Sequence, residues 1–183
     1  LALPAEVLIT TMQTNQKYFP VKDDAGQLLN HFITFSNIES RRPQSIQHGN
    51  ERVVTPRLSD AEFFWTQDRK QPLSARVASL ASVVFQERLG TLADKTNRLI
   101  ALAQYLAEQL NADATLAKRA AYLAKTDLMT SMVGEFGNLQ GTMGRYYALA
   151  DGEAPDVALA LEEQYFPKQS GGATPSQRIG QIL

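Results

Sequence analysis

Thr91-Leu92-Ala93-Asp94-Lys95-Thr96-Asn97-Arg98-Leu99-Ile100-Ala101-Leu102-Ala103-Gln104-Tyr105-Leu106-Ala107-Glu108-Gln109-Leu110 decides the fold. Leu92, Leu99, Ala103, Leu106 and Leu110 recur at helical spacing, the cleanest such stripe in the chain, and predict a helix over about 91–110. Asp113 then reads as the N-cap of a further helix whose buried stripe is Leu116, Ala120 and Leu123. Upstream, the periodicity turns helical at Gly49. Residues 50–70 fit one helix kinked at Pro56, or a helix restarting there with Thr55 as cap. Leu58, Ala61, Phe64, Trp65 and Asp68 share a face of it. Residues 73–89 read as the next helix, ended by Gly90 in the C′ role. Downstream, residues 155–164 form a clear helix and Gly171-Gly172-Ala173 a loop. Residues 177–183 read as the first turns of an amphipathic helix, with Thr174 as N-cap and Pro175 at the first helical position.

The first forty residues read differently. Val7-Leu8-Ile9-Thr10-Thr11-Met12 is a short β-prone run. Lys17-Tyr18-Phe19-Pro20-Val21 and Phe32-Ile33-Thr34-Phe35 flank the turn sequence Asp23-Asp24-Ala25-Gly26 and predict a hairpin. Pro20 removes a ladder donor, which argues for an edge strand or a bulge. The expected fold is therefore mainly α. A short β element of about three strands over residues 1–45 precedes a helical domain over residues 46–183.

Composition mostly excludes. The chain has 183 residues, 18 Lys+Arg against 19 Asp+Glu, two His, no Cys and 44% hydrophobic residues. That length is enough for a sizeable core. Without Cys there is no disulfide framework, thiolate metal site or Cys nucleophile. The formal charge of −1 carries no overall basic footprint. Apolar runs fall far short of the roughly 20 residues a membrane helix needs, and residues 1–9 lack the charged start of a signal peptide. A reducing, cytoplasmic setting is the expectation. The chain starts with Leu and ends on a helix-like segment, so it reads as a piece of a longer protein.

Phosphate-cradling and dinucleotide motifs are missing, as is a GxSxG elbow. His31 on a strand and His48 at a helix start read as packing or capping residues. Asp127 lies four residues beyond Leu123, on an otherwise apolar stripe, where a carboxylate must be hydrogen-bonded, ion-paired or metal-bound. It is either a ligand inside a helical bundle or the cap of a new helix over 128–136, and the strong preference of Asp for N-caps favours the cap. Glu135 is a second acidic candidate. Gly134, Gly137, Gly141 and Gly144 either let two helices approach closely or break one helix in two. Basic residues gather at Arg41, Arg42, Arg52, Arg57, Arg69 and Lys70, and again at Lys118, Arg119 and Lys125. The first group is interleaved with Glu39, Glu51, Asp60, Glu62 and Asp68, the pattern of ordinary surface ion pairing.

The wording of several segments says more than their chemistry. Gln16-Lys17-Tyr18-Phe19-Pro20-Val21, Ser36-Asn37-Ile38-Glu39 and Gly49-Asn50-Glu51-Arg52-Val53-Val54 come first, followed by Arg57-Leu58-Ser59-Asp60-Ala61-Glu62-Phe63-Phe64. Gly90-Thr91-Leu92-Ala93-Asp94-Lys95-Thr96 and Lys125-Thr126-Asp127-Leu128-Met129-Thr130 come next. Met132-Val133-Gly134-Glu135-Phe136, Leu139-Gln140-Gly141-Thr142-Met143-Gly144 and Glu163-Gln164-Tyr165 close the series. Over nearly its whole length the chain resembles the beta subunit of the bacterial two-subunit glycyl-tRNA synthetases.

The resemblance implies an internal piece of a several-fold longer subunit. The strands would end an N-terminal region, and the helices would belong to a domain similar to the HD phosphohydrolases. It implies tRNA(Gly) and a separate alpha subunit as partners. Glycine activation with ATP would lie in that alpha subunit, and this piece would have no catalytic residue, metal or cofactor of its own. The HD pair would fall at Thr126-Asp127, with the His replaced, so the fold would serve as a binding scaffold. Under this reading Arg41, Arg42, Arg52, Arg57, Lys118, Arg119 and Arg145 are the candidates for tRNA phosphate contacts. A metal-dependent HD-type phosphohydrolase and a purely structural subunit-interface module are the alternatives.

Overall fold

Helix-forming sequence dominates, and the strands that do form are short. The computed structural model describes residues 3–183. Leu1 and Ala2, the first two residues of the expected β element, lie outside the described residues. The chain divides into two units, one up to Gln67 and one from Asp68 to Leu183. The expected division at 45/46 falls inside a helix, α2 (Pro43–Asp68).

In the first unit, the expected strand over 7–12 is instead part of helix α1 (Ala5–Gln16). Its β-branched residues suit a strand locally, but Val7, Thr10 and Thr11 are buried on a helical repeat. The Thr11 hydroxyl donates to the Val7 carbonyl one turn back, at 2.8 Å. Pro4 opens the helix and Lys17 closes it in the left-handed conformation at φ 56°. The hairpin forms as expected, from β1 (Phe19–Lys22) and β2 (Leu28–Ile33), although β2 starts four residues earlier than the expected run over 32–35. Its register shifts between Pro20 and Lys22, the irregularity that a proline in a strand demands. Tyr18, Met12 and Val54 make a small core with Leu8, Phe32 and Leu58. The Tyr18 ring stacks on Phe32 at 4.7 Å and its hydroxyl donates to Asn50 Oδ1 at 2.7 Å. Helix α2 begins seven residues before the expected start at 50 and runs through Pro56 as one assigned helix. Thr55 does not cap a second helix; its hydroxyl donates to the Glu51 carbonyl at 2.8 Å.

The second unit departs from expectation at its start. The helix expected over 73–89 is a run of tight 3-10 turns, Leu73–Ser82, followed by a two-stranded hairpin of β3 (Val84–Gln86) and β4 (Gly90–Thr91). Val83, Val84 and Phe85 favour extended backbone. The Gln86 side chain then holds the turn, its Oε1 accepting from the Arg88 and Leu89 amides at 2.7 and 3.0 Å. Gly90, at φ 85°, serves this turn and not a helix end.

Helix α3 (Leu92–Gln109) is capped by Thr91 and Asp94 in a reciprocal box. Its buried side is Leu92, Thr96, Ala103 and Ala107, while Leu110 is exposed. Asp113 caps α4 (Ala114–Leu123) as expected, accepting from Thr115 and Leu116 at 2.8 and 3.0 Å. Ala120 and Leu123 are buried, and Ala117 and Ala121 join them. Alanines on both helices let α3 and α4 pack closely as a hairpin across a short connection. Helices α5 (Ser131–Glu135), α6 (Thr142–Ala150), α7 (Pro155–Glu163) and α8 (Arg178–Ile182) complete the unit. The expected terminal helix is present with Ile179 and Ile182 buried, but it starts later than Thr174 and Pro175 predicted.

Candidate functional site

Helix α4 stops at Leu123, and Lys125 then adopts a left-handed conformation at φ 70°. Asp127 therefore does not extend the α4 stripe. It sits in a 3-10 turn, Thr126–Met129, and the helix expected over 128–136 shrinks to α5, capped by Thr130. Thr126 and Asp127 are both fully enclosed, at 0% and 2% exposure. The Thr126 hydroxyl donates to the Leu123 carbonyl at 2.6 Å, and Asp127 Oδ2 accepts from the Gly141 amide at 2.6 Å. Gly141 precedes α6, so Asp127 caps that helix from across the unit. A Cβ at Gly144 would stand 3.3 Å from the same carboxylate oxygen, so the first turn of α6 closes over it. Burial raises the Asp127 pKa, opposed by the Gly141 amide and the charge of Lys125.

The Asp127 arrangement recurs. Asp68, at the end of α2, accepts from the amides of Ser131 and Met132 at the start of α5, at 2.8 and 2.9 Å. It also accepts from the Tyr147 hydroxyl at 2.9 Å and lies 3.7 Å from the Arg76 guanidinium. Asp151 accepts from the Leu73 amide at 2.7 Å, capping the 3-10 run. Glu163 accepts from Ser176 and Gln177 amides at 2.7 and 3.2 Å at the start of α8. The sequence signal for Asp68 was its place on an apolar face; Asp151 and Glu163 gave none.

The residues at the HD-type position do not fit a divalent metal. At the expected position the Thr126 hydroxyl is turned to backbone and the Asp127 carboxylate is committed to α6. His31 and His48 are exposed in the first unit. Among the described residues no three His, Asp or Glu side chains converge as a ligand set.

A prediction follows from the Asp127 pKa. Between the ordinary carboxylate value of 3.8 and its raised folded value, the folded chain holds a proton that the unfolded chain has lost. Stability from this group therefore falls as pH rises through that window. Asp127→Asn keeps an acceptor for the Gly141 amide without the charge. We expect it to match or exceed the wild-type stability at neutral pH and to remove this slope. Asp127→Ala loses the cap and should cost about 1–2 kcal/mol. Urea unfolding of all three proteins across pH checks both statements.

The basic candidates are divided between the two units. Arg41 and Arg42 are exposed at the bend leading into α2, and Arg52 and Arg57 are exposed on α2. Five residues apart, the last two point about 140° from each other around the helix. The other three lie in the second unit. Lys118 is exposed on α4. Arg119 is held by Glu153 through two contacts, at 3.0 and 2.5 Å, and that carboxylate raises its pKa. Arg145 Nε lies 2.7 Å from Glu162 and its guanidinium covers the Tyr146 ring at 4.6 Å. Two cations outside the tRNA candidates lie against rings, Lys125 from the second basic group and Lys95, which the sequence reading did not single out. Lys95 Nζ lies 4.1 Å from the Phe85 ring centre, and Lys125 Nζ 3.7 Å from that of Tyr165.

The fold and these groups define a mainly helical scaffold whose buried acids cap its own helices. The family model for the glycyl-tRNA synthetase beta subunit matches residues 1–183, and the chain belongs to that family. It is 58% identical to the glycine–tRNA ligase beta subunit of Shewanella baltica (strain OS195) over 179 residues, 98% of this chain and 26% of that protein. It is 56% identical to the beta subunit of Pseudoalteromonas translucida over 179 residues and 55% identical to that of Colwellia psychrerythraea over 180, with 98% and 26% coverage in each case. The chain thus spans about a quarter of the length of these relatives. Among the described residues no helix is long and apolar enough to cross a membrane.

Proposed function

We propose that the chain works as part of a glycine–tRNA ligase beta subunit in the cytoplasm. It supports the attachment of glycine to tRNA(Gly) by binding tRNA and by shaping the subunit, while a separate alpha subunit binds ATP and carries out the chemistry. The observation that carries this reading is 58% identity across 98% of the chain to a glycine–tRNA ligase beta subunit. A scaffold role is supported by the site geometry, in which Asp127 and Asp68 hold helix ends.

A segment exchange tests it. The matching quarter of the Shewanella baltica beta subunit is replaced by this chain, and the chimera is assayed with the Shewanella alpha subunit for glycylation of tRNA(Gly). Activity within about tenfold of the parent is expected, a loss of no more than roughly 1.4 kcal/mol in transition-state stabilisation. A folded chimera that binds neither alpha subunit nor tRNA sinks the reading.

A further inference from the structure

Lys95 and Lys125 lie closer to a ring centre than Lys168 does, at 4.1 and 3.7 Å against 5.7 Å. Lys95 lies in the first turn of α3, where the partial positive charge of the helix end disfavours a cation. Lys125 follows α4 directly, in a left-handed backbone conformation that non-glycine residues seldom adopt. The α3–α4 hairpin sets the start of one helix beside the end of the other, so the two ammonium groups repel each other.

Neither is neutralised. Among the described residues, no carboxylate lies within ion-pair distance of either Nζ. The nearby acids are committed elsewhere. Asp94 accepts from the Thr91 amide and hydroxyl, both at 2.8 Å, and Asp127 accepts from Gly141. Aromatic faces take the place of carboxylates: Phe85, itself 40% exposed, lies under Lys95, and Tyr165 lies under Lys125. The Tyr165 ring is fixed in turn by Gln140, whose amide donates to its hydroxyl at 2.6 Å. Arg119 and Arg145, by contrast, already hold Glu153 and Glu162.

We propose that Lys95 and Lys125 form a phosphodiester-binding pair that grips the RNA backbone at the open end of the α3–α4 hairpin. This assignment rests on the tRNA-binding reading above and names residues for it. Lys is well suited as a point charge for phosphate, and one bridging phosphate would relieve both the mutual repulsion and the missing counter-ion. The Lys125 pKa supports the geometry: burial first, and then Lys95, lower it from 10.5 to about 8, against the pull of Asp127. The ring it lies against belongs to Tyr165, and burial keeps that phenol neutral at these pH values.

The test uses the full beta subunit with its alpha partner and a tRNA(Gly) transcript, titrated between about 50 and 200 mM salt. K95Q and K125Q are each expected to lower the salt slope of binding by about one unit, and the double variant by about two. Wild-type affinity should fall about tenfold between pH 7 and pH 9 as the protonated fraction of Lys125 drops, a fall that K125Q lacks. K22Q, at an exposed lysine of β1 outside the candidate set, is the contrast, with the slope unchanged.

Amine acetylation of the wild-type complex reads the same contact without a variant that could misfold. Bound tRNA should protect Lys95 and Lys125 several-fold relative to Lys22. Wild-type tRNA binding with no change in slope or pH profile in a folded double variant, or with unprotected lysines, overturns the pair alone. Protection by inorganic pyrophosphate but not by tRNA assigns the site to a free anion and overturns the RNA assignment. Failure of the wild-type enzyme to bind tRNA removes the broader reading and this one together.

Discussion

Replacing Asp68 by Ala is expected to destabilise the chain by about 3–5 kcal/mol, the cost of breaking a buried, hydrogen-bonded ion pair by removing one partner. Asp68 is 3% exposed and gathers four groups: the amides of Ser131 and Met132, the Tyr147 hydroxyl and the Arg76 guanidinium. Without it, the Ser131 and Met132 amides at the start of α5 lose their acceptor, leaving only the Thr130 cap there, and the Tyr147 hydroxyl loses this bond. Arg76 keeps its bonds to the carbonyls of Met129 and Asp68, at 3.0 and 2.8 Å, but loses its ion-pair partner, with only the more distant Asp151 carboxylate to offset its charge. At roughly 2–4 °C per kcal/mol for a chain of this size, the melting temperature should fall by about 10 °C. Asp68→Asn restores an acceptor but not the charge and should recover only part of the loss. Calorimetry of the three proteins checks this, and an Asp68→Ala chain within about 2 °C of wild type would exclude the network as a major source of stability.

Much of this was half visible in the residues themselves. An acid at position 68 or 127 on an apolar face announces that it needs a partner, because an unpaired buried charge is too costly. What the pattern cannot tell is which partner. Asp68 reaches Ser131 and Asp127 reaches Gly141, contacts set by how helices cross and not by spacing along the chain. Arg119 and Arg145 look like free surface cations for the same reason, since Glu153 and Glu162 lie in other elements. Helices α3, α4 and α7 were legible because cap and stripe agree locally, as at Asp113 and Pro155. The reading failed where they disagreed. Residues 7–12 are β-branched yet lie in a helix opened by Pro4, and residues 83–85 continue an apolar run after the 3-10 turns have ended. The glycine series was legible as an either-or, and Gly141 proves to serve both ends, separating α6 from the preceding turn and admitting a neighbouring ring.

That double duty makes Gly141→Ala the second large effect. Gly141 has φ 82° and ψ −53°, a backbone conformation closed to side chains with a Cβ at a cost of about 1–3 kcal/mol. An added methyl would also stand 2.5 and 2.8 Å from two ring carbons of Tyr165 and 3.3 Å from the Leu161 carbonyl. The ring cannot yield freely, being hydrogen-bonded by Gln140 and covered by Lys125. Overpacking adds about 1–3 kcal/mol, so the expected total is about 2–6 kcal/mol. The loss should be local in its signature. Relaxing the clash displaces Tyr165 and lengthens the bond from the Gly141 amide to Asp127, so hydrogen exchange should accelerate at the start of α6 more than in α3. Gly144→Ala is the comparison, since its φ is ordinary and its Cβ would meet Asp127 and Leu161 at 3.3–3.4 Å. It should cost visibly less than Gly141→Ala, and equal losses would mean that the backbone conformation at 141 contributes nothing of its own.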